Sequence, residues 1–386
     1  LILQLQDMVL HITEVCTTPL LVRNKEPYHW AHGTTYGAEV ILVEVLTGDG
    51  VKGYGESIAS PDSAGVEAFI RTAARHLVGQ SVFDSRQAMR RCYHALFQAH
   101  GTCSAPRFGG QILAGLEMAM WDAAGKTAGC AVHELLGGKV RQTIEYFGFI
   151  QGESPQSLAA DAARLVSEGH RVIYGKIGRG DDLDIEIVRQ VRQAVGENVR
   201  LRFDPNEAWD PLTAARMIAK LAQYDLEMIE QPCPHPSLEA LRQIRENSPV
   251  PIAADQSVFN AADVYRAVTA GAADLIVLGL HETGGIVPFL EAAAVAAAAG
   301  VNLCLHGLHE TGITTCAANQ VGAVIPNLDD GNQYMNHLLV SDIVISPDLA
   351  LTDGRLPVLS GPGLGFEVDS DAVARAAEAH RLAFNE

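Results

Sequence analysis

The fold is decided by three short stretches that share one pattern, apolar residues followed by an acid and then, one or two positions later, by an amide side chain: RFDPN at residues 202–206, MIEQP at residues 228–232 and IAADQ at residues 252–256. The pattern recurs after roughly 25 residues, the length of one strand and one helix. Seven or eight such units in series predict a closed parallel barrel. A doubly wound sheet is the competing arrangement, but no glycine-rich dinucleotide fingerprint follows the first strand.

The same alternation of short apolar strands and amphipathic helices extends from residue 144 to residue 305. The predicted strands cover residues 144–150, 172–177, 199–203, 226–229, 251–254, 275–278 and 301–305. The clearest helices between them cover residues 155–168, 211–222 and 237–246.

The first 130 residues follow a different pattern. Two β-rich runs, at residues 40–46 and 51–56, flank a turn at residues 47–50. Apolar residues then recur at helical spacing over residues 66–77, 88–97 and 112–124. Strands followed by helices predict an α+β domain, and no linker separates it from the barrel. The end of the chain is helical over residues 370–382 and is expected to pack back on this first domain.

Composition limits the classes of partner. The chain has 386 residues, and 48% hydrophobic with 19% charged residues is typical of a soluble globular protein. The net charge of −18 repels phosphate backbones and anionic lipids, so we expect neither a nucleic acid nor a membrane partner. Seven scattered cysteines without a CxxC pair indicate a reducing compartment. No secretory signal or membrane-spanning stretch is visible, and we expect a cytoplasmic protein.

Three acids occupy matching positions in the barrel: Asp204, Glu230 and Asp255. The carboxyl ends of barrel strands meet at one face, so these carboxylates should converge. Unneutralised, they would repel one another strongly in a medium of low dielectric. A single acid there is often a strand-end cap or an ion-pair partner, but three matched acids favour a divalent cation. Oxygen ligands without His or Cys favour Mg²⁺ over zinc.

Two further side chains at this face are candidates for acid–base chemistry. Lys176 ends the second predicted strand and is a candidate base, its pKa depressed by the cation; the alternative is an ion pair with one of the acids. His306 ends the seventh strand, across the barrel, and its functional and structural interpretations both remain open. Glu310 is either an N-terminal cap of the next helix or an acid behind His306.

The motifs Asp204-x-Asn206, Glu230-Gln231-Pro232 and Ala254-Asp255, in this order and spacing, resemble the mandelate racemase and muconate lactonizing branch of the enolase superfamily. The resemblance covers essentially the whole chain, and the other stretches that agree are GYGE at residues 53–56, EMAMWDAAGK at residues 117–126, LLGGK at residues 135–139 and GG at residues 284–285.

This resemblance implies an N-terminal α+β capping domain (residues 1–130), a (β/α)₇β barrel (residues 131–347) and a C-terminal segment (residues 348–386) that returns to the capping domain. It also implies Mg²⁺ at Asp204, Glu230 and Asp255, and abstraction of the proton α to a carboxylate through an enediolate. We therefore expect a small carboxylate substrate and a homo-oligomer. In this family capping-domain loops close the site, and the corresponding stretch here is residues 23–34.

The sequence departs from the family pattern at two places. Tyr174 stands where many members have the first lysine of a Lys-x-Lys pair, and Gly279 stands where members have a second lysine or an aspartate. His306 matches a catalytic histidine but lacks that aspartate as its partner. The remaining candidates for substrate binding or for support of the site are Tyr174, Asn206, Gln256, Glu310 and Asp329.

The absence of an acid at position 279 suggests one strong base, Lys176, opposite an imidazole suited to donate a proton. This asymmetry predicts dehydration of a hydroxy acid or acid sugar, because a racemase needs two acid–base groups of matched strength. A racemase or epimerase and a lactone cycloisomerase are the alternatives within the family. A degenerate barrel that binds without turnover is the alternative outside enzymes.

Overall fold

The computed structural model describes residues 11–99 and 106–384. The chain opens with an antiparallel sheet in the order β1-β2-β3, formed by β1 (Ile12–Trp30), β2 (Gly33–Thr47) and β3 (Lys52–Ile58). The sequence pattern predicts strands only at residues 40–46 and 51–56, so β1 is a strand that the pattern does not predict. The register of β1 on β2 shifts between Arg23 and Tyr28, and there Asn24 forms a bridge with Leu339 instead.

Three helices cover this sheet: α1 (Ser63–Ala74), α2 (Ser85–Tyr93, continued by a π-helical turn at His94–Gln98) and α3 (Pro106–Ala128). The long helix α3 approaches β3 very closely. A Cβ added at Gly53 would lie 2.1 Å from the carbonyl oxygen of Ala119, and one at Gly55 would lie 2.1 Å from that of Gly115. The two glycines of the GYGE stretch therefore allow strand and helix to touch backbone to backbone.

Seven parallel strands form the second sheet, in the order β11-β10-β9-β8-β7-β6-β5. They are β5 (Gly148–Phe149), β6 (Val172–Lys176), β7 (Arg200–Asp204), β8 (Met228–Glu230), β9 (Ile252–Ala254), β10 (Leu275–Leu278) and β11 (Asn302–Leu305). Isolated bridges from Tyr146 to Asn332 and from Leu303 to Leu328 place residues 328–332 between the two edges and close the barrel. The predicted capping domain and barrel are confirmed.

Helices alternate with these strands around the barrel, and most begin with a capping side chain such as Ser154, Asp210 or Asn260. They are α4 (Val132–Leu135), α5 (Pro155–Ser167), α6 (Asp181–Val195), α7 (Pro211–Leu221, continued by a 3₁₀ turn at Ala222–Tyr224), α8 (Leu238–Asn247), α9 (Ala261–Ala270), α10 (Leu280–Thr283), α11 (Ile286–Ala298) and α12 (Gly312–Val324). A 3₁₀ turn follows at Asn336–Leu338.

The strand predicted at residues 144–150 is in fact two. The first part, β4 (Thr143–Glu145), pairs antiparallel with β13 (Arg355–Pro357), and only β5 joins the barrel. A second small pair joins β12 (Val344–Ser346) to β14 (Glu367–Val368). The last helix, α13 (Ser370–Phe384), packs on β1, and His380 Nε2 lies 3.0 Å from Ser63 Oγ of the first domain. The predicted return of the C-terminal segment is confirmed.

Two buried acids join the capping domain to barrel helices. Glu117 of α3 accepts hydrogen bonds from the backbone N–H groups of Ile286 (2.7 Å) and Val287 (3.1 Å), at the start of α11. Glu56 of β3 accepts hydrogen bonds from the backbone N–H groups of Thr311 (3.1 Å) and Thr314 (2.9 Å), at the start of α12. Both acids belong to stretches that carried the family resemblance, and they hold the two domains together.

The stability of this junction should depend on pH. Burial raises the pKa of Glu117 from its ordinary 4.5 to about 7, so the folded state keeps the proton at a pH where the unfolded chain has lost it. Stability is then lost as pH rises from about 4.5 to about 7, by up to about 3 kcal/mol for this group. We expect Glu117→Gln to lose less stability than wild type between pH 5 and pH 8 in urea unfolding. Equal losses, or the same effect in the surface control Glu134→Gln, would contradict this.

Within the described ranges, no helix combines the length and apolar character that crossing a membrane requires.

Candidate active site

The barrel places the three predicted acids in its interior, but the ligand atoms that converge are those of Glu230, Asp255 and His306, while Asp204 lies beside them and pairs with Lys176. Asp204 ends β7, Glu230 ends β8 and Asp255 directly follows β9, and all three are buried. The hydroxyl of Tyr174 lies between two of them, 2.8 Å from Asp204 Oδ2 and 3.2 Å from Glu230 Oε1. On the other side, Glu230, Asp255 and His306 offer ligand atoms that all lie within 4.8 Å of one another.

The electrostatics of this cluster suit a cation. Burial raises the pKa of Glu230 well above its ordinary value, and the charges of Asp204 and Asp255 raise it further. Burial also raises the pKa of Asp255 to about 7. Neither carboxylate oxygen of Asp255 has a hydrogen-bond partner among the residues described, although both are buried. Buried carboxylate oxygens without partners are what a hard divalent cation would satisfy, so the residues present fit Mg²⁺.

Lys176, the last residue of β6, points into the same centre. Its Nζ lies 2.5 Å from Asp204 Oδ2 and 3.1 Å from the Tyr174 hydroxyl. Burial alone would lower the pKa of Lys176, but Asp204, Tyr28 and Glu230 outweigh it and raise the pKa above the ordinary value. The ion pair that the sequence left as an alternative is therefore formed, whereas the depression of the Lys176 pKa expected from a bound cation stays a prediction.

An aromatic wall from both domains lies beside Lys176. The ring of Tyr174 stacks on that of Phe147, with centroids 4.4 Å apart and 7° between the planes. Tyr28 of the capping domain lies 5.5 Å from Phe149, and burial raises the pKa of its hydroxyl to about 12. The predicted covering stretch at residues 23–34 thus reaches the barrel, where His32 Nε2 also lies 2.7 Å from the backbone oxygen of Asn206.

Across the barrel, His306 has a carboxylate partner that sequence analysis missed. Its Nδ1 lies 3.0 Å from Glu282 Oε2 and 3.5 Å from Asp255 Oδ1. Burial alone would lower the pKa of His306, but Asp255 and Glu282 outweigh it and raise the pKa to about 10. Glu282 lies in α10, the single helical turn that follows β10, and is fully buried.

The position of Glu282 explains why glycine occupies position 279. The backbone N–H of Gly279 donates a hydrogen bond of 2.9 Å to Glu282 Oε2. A Cβ at Gly279 would lie only 3.2 Å from that oxygen and 3.0 Å from the backbone oxygen of His306. The carboxylate thus comes from three residues further along the chain and folds back into the space a side chain at 279 would fill. The signal in the sequence was an acid at the third position of a helical turn. A side chain there can accept a hydrogen bond from the backbone N–H of the residue that precedes the turn.

The structure distributes the remaining candidates differently. Asn206 and Gln256 are buried beside Asp204 and Asp255, and each has a side-chain oxygen without a partner in the described part of the chain. Glu310 accepts a hydrogen bond from the backbone N–H of Leu308, and burial raises its pKa to about 8. The side chain that caps α12 is that of Thr311, the residue after Glu310.

Asp329 is not brought to His306. Its Oδ1 lies 2.5 Å from a guanidinium nitrogen of Arg202, a buried side chain two residues before the end of β7. It belongs to an ion-pair network deeper in the barrel that also includes Glu227.

Comparison with known proteins identifies the family. Residues 12–137 match the family model described as mandelate racemase/muconate lactonizing enzyme, N-terminal domain, and residues 157–372 match the one described as enolase C-terminal domain-like. The chain belongs to the mandelate racemase/muconate lactonizing enzyme branch of the enolase superfamily. The resemblance seen in the sequence is thus confirmed.

Relatives in this branch share nearly the whole chain. Muconate cycloisomerase 1 of Rhodococcus opacus is 32% identical over 376 residues, covering 94% of this chain and 98% of that protein. L-Ala-D/L-Glu epimerase of Bacillus subtilis is 28% identical over 364 residues, covering 92% and 96%. A solved dipeptide epimerase from Cytophaga hutchinsonii, complexed with Mg and the dipeptide D-Ala-L-Val, has a TM-score of 0.88 at 26% identity and covers 95% and 98%.

These relatives of the mandelate racemase/muconate lactonizing enzyme branch are isomerases, and the chain is an enzyme of that branch. The expected dehydration has no specific support among them. The alternative named from the sequence, a racemase, epimerase or cycloisomerase, is the better supported one.

Proposed function

We propose that this enzyme is a Mg²⁺-dependent racemase or epimerase that removes and returns the proton α to a carboxylate, with Lys176 and His306 as its two acid–base groups. The observation that carries the proposal is the 3.0 Å contact between His306 Nδ1 and Glu282 Oε2. The expected dehydration depended on an unpaired imidazole. With Glu282 beside it, His306 has the carboxylate that fixes its tautomer and supports it as a base.

The placement of the two groups supports proton transfer on both sides of a substrate. Lys176 ends β6 and His306 follows β11, and four strands of the curled sheet lie between these two. With Nδ1 turned toward Glu282, the Nε2 atom of His306 remains for the substrate. Lys176 Nζ would take or return the proton on one face of the α-carbon, and His306 Nε2 on the other.

Asp204, Glu230 and Asp255 would hold Mg²⁺, which when bound supplies Lewis-acid stabilisation of negative charge developing on the substrate carboxylate. The rest of the work belongs to the chain itself. Tyr28 and its neighbours in the covering stretch at residues 23–34 cover the side of the barrel mouth next to Lys176 and exclude water there.

Cycloisomerisation is the second candidate, favoured by the relative that is 32% identical, muconate cycloisomerase 1. It needs an acid–base group on one face of the substrate only. The Lys176–His306 pair differs from the two lysines expected in the cycloisomerase and dipeptide epimerase members. We therefore do not assign their substrates to this chain.

The test is incubation with Mg²⁺ in D₂O of three groups of carboxylates: dipeptides and N-acyl amino acids in both configurations, hydroxy acids and acid sugars, and cis,cis-muconate. We expect deuterium at the α-carbon, measured by NMR, together with inversion of configuration, measured by chiral chromatography. A 2-keto acid product would establish a dehydratase, and a lactone from muconate would establish the second candidate. Either result without inversion overturns the proposal.

The role of Glu282 gives a prediction of its own. Glu282→Gln keeps the shape of the side chain but removes the charge that faces His306 Nδ1, so we expect inversion to slow by about 10²-fold or more. The comparison variant is Glu310→Gln, which changes a buried acid near His306 that makes no contact with Nδ1 in the described residues and should keep most of the activity. If the Glu310 variant loses activity and the Glu282 variant keeps it, the partner of His306 has been misassigned.

A further inference from the structure

We propose that Arg107, which comes from the capping domain, is a positioning residue for His306 and acts through Glu282. The inference rests on the proposed function for the role of His306, and it extends the acid–base pair into a chain of three side chains that crosses the domain boundary.

Glu282 has two oxygens, and they meet different partners. Oε2 lies 3.0 Å from His306 Nδ1 and accepts a hydrogen bond from the Gly279 backbone. Oε1 has no hydrogen bond within residues 11–99 and 106–384, but a guanidinium nitrogen of Arg107 lies 3.3 Å from it. Arg107 is therefore the cation that faces the second oxygen and limits rotation of the carboxylate.

The surroundings of Arg107 hold it in this place. Its guanidinium carbon lies 5.2 Å from the centroid of the Phe259 ring, and 40% of its side chain is exposed. Glu282, in contrast, is fully buried, so removal of Arg107 would take away the cation that faces its second carboxylate oxygen. We therefore expect Glu282 to turn away from His306 when Arg107 is removed.

Helix α3 is pressed against the turn that carries Glu282. A Cβ at Gly110 would lie 2.3 Å from the backbone oxygen of Glu282 and 3.1 Å from the backbone nitrogen of Gly284. Arg107 lies three residues before Gly110, in the first turn of the same helix. Seating of α3 on α10 thus sets the position of Arg107 over Glu282, and the orientation of His306 depends on the capping domain.

The contact is consistent with the charge state of Glu282. Burial alone would raise its pKa, but His306 and Arg107 outweigh burial and lower the pKa below its ordinary value.

The experiment compares Arg107→Met and Arg107→Lys with Arg86→Met. Arg86 forms another ion pair between the capping domain and the barrel, with Glu291, and is therefore a control for loss of an interdomain charge alone. Crystal structures of the full chain in each form give the distance from Glu282 Oε2 to His306 Nδ1. We expect it to exceed about 3.5 Å in Arg107→Met, beyond a hydrogen bond, and to be kept in the other two. An unchanged contact in Arg107→Met overturns the inference.

The second measurement is kinetic. It uses as substrate a carboxylate, from the three groups tested above, that the enzyme converts. Arg107→Met should lower kcat for inversion by about tenfold to a hundredfold with KM nearly unchanged, because a misplaced imidazole reacts poorly but does not bind the substrate. Arg107→Lys should restore much of kcat. An equal loss of kcat in Arg86→Met, or a rise in KM with kcat unchanged in Arg107→Met, contradicts a positioning role. If no carboxylate in the library reacts, the proposed function fails, and the crystal structures still decide the inference.

Discussion

Replacing Glu230 by glutamine is expected to reduce Mg²⁺-dependent turnover by about 10³-fold or more, while the chain stays folded. Glu230 lies between the acid of β7 and the acid that follows β9, and both of their charges raise its pKa. Gln keeps the shape and an oxygen but loses the charge, so the site binds a divalent cation far more weakly. The Lewis-acid contribution at stake is several kcal/mol, which corresponds to the expected loss in rate.

The fold should tolerate this change. Removing one of several buried carboxylates lowers the mutual repulsion in the metal-free protein, so its thermal unfolding temperature should stay the same or rise. Titration calorimetry with Mg²⁺ and the rate of α-proton exchange are the measurements. Glu227→Gln makes the same change one residue before the strand that carries Glu230, where the carboxylate pairs with Arg202. Wild-type turnover in Glu230→Gln would show that the cation site lies elsewhere.

The barrel and its strand ends were predictable because both depend on local pattern. Asp204, Glu230 and Asp255 recur with the length of the strand–helix unit, and a parallel barrel necessarily brings its strand ends to one face. Lys176 and His306 were found by the same counting. The positions are set by the register of strands, which the sequence pattern reports directly.

Glu282 could not be found in this way, because its place depends on a turn. It lies three residues beyond the strand-end position, and only the backbone path of α10 returns its carboxylate to His306. The strand-end position itself is occupied by Gly279, so the strand pattern predicts no acid beside His306. The same limit applies to Asp329, whose distance from the strand end gave no sign that it pairs with Arg202.

The missed strand β1 has a different cause. After Arg23 its alternation of apolar and polar residues is broken by the irregularity before Tyr28, and the buried side chains of this part pack on the barrel instead of the sheet core. Tyr28 is in the aromatic wall beside Lys176, so the segment that lacks a strand pattern is the one that serves the site.

Sequence stretches outside the strand ends mainly join the two domains. Glu56 and Glu117 cap barrel helices, and Arg107 on α3 reaches Glu282. The glycines of GYGE instead let β3 pack on α3 within the capping domain. The site is therefore complete only when the capping domain is seated on the barrel.

Lys176→Ala and His306→Asn are expected to divide the reaction into its two halves. Each variant loses one of the opposed acid–base groups, so inversion should fall by about 10²- to 10⁴-fold in both. The remaining group still abstracts a proton from its own face of the α-carbon. Lys176→Ala should therefore exchange the α-proton of one configuration for deuterium, and His306→Asn should exchange that of the other.

Each variant is the control for the other, because misfolding or loss of the cation would remove exchange of both configurations together. The measurement is deuterium incorporation in D₂O into each of the two substrate stereoisomers, supplied separately and monitored by NMR. The mirror-image result requires two working acid–base groups, and we expect His306 to be one because Glu282 faces its Nδ1. If instead Lys176→Ala abolishes exchange of both configurations and His306→Asn abolishes neither, the enzyme works with a single base, and cycloisomerisation or elimination replaces epimerisation as its reaction.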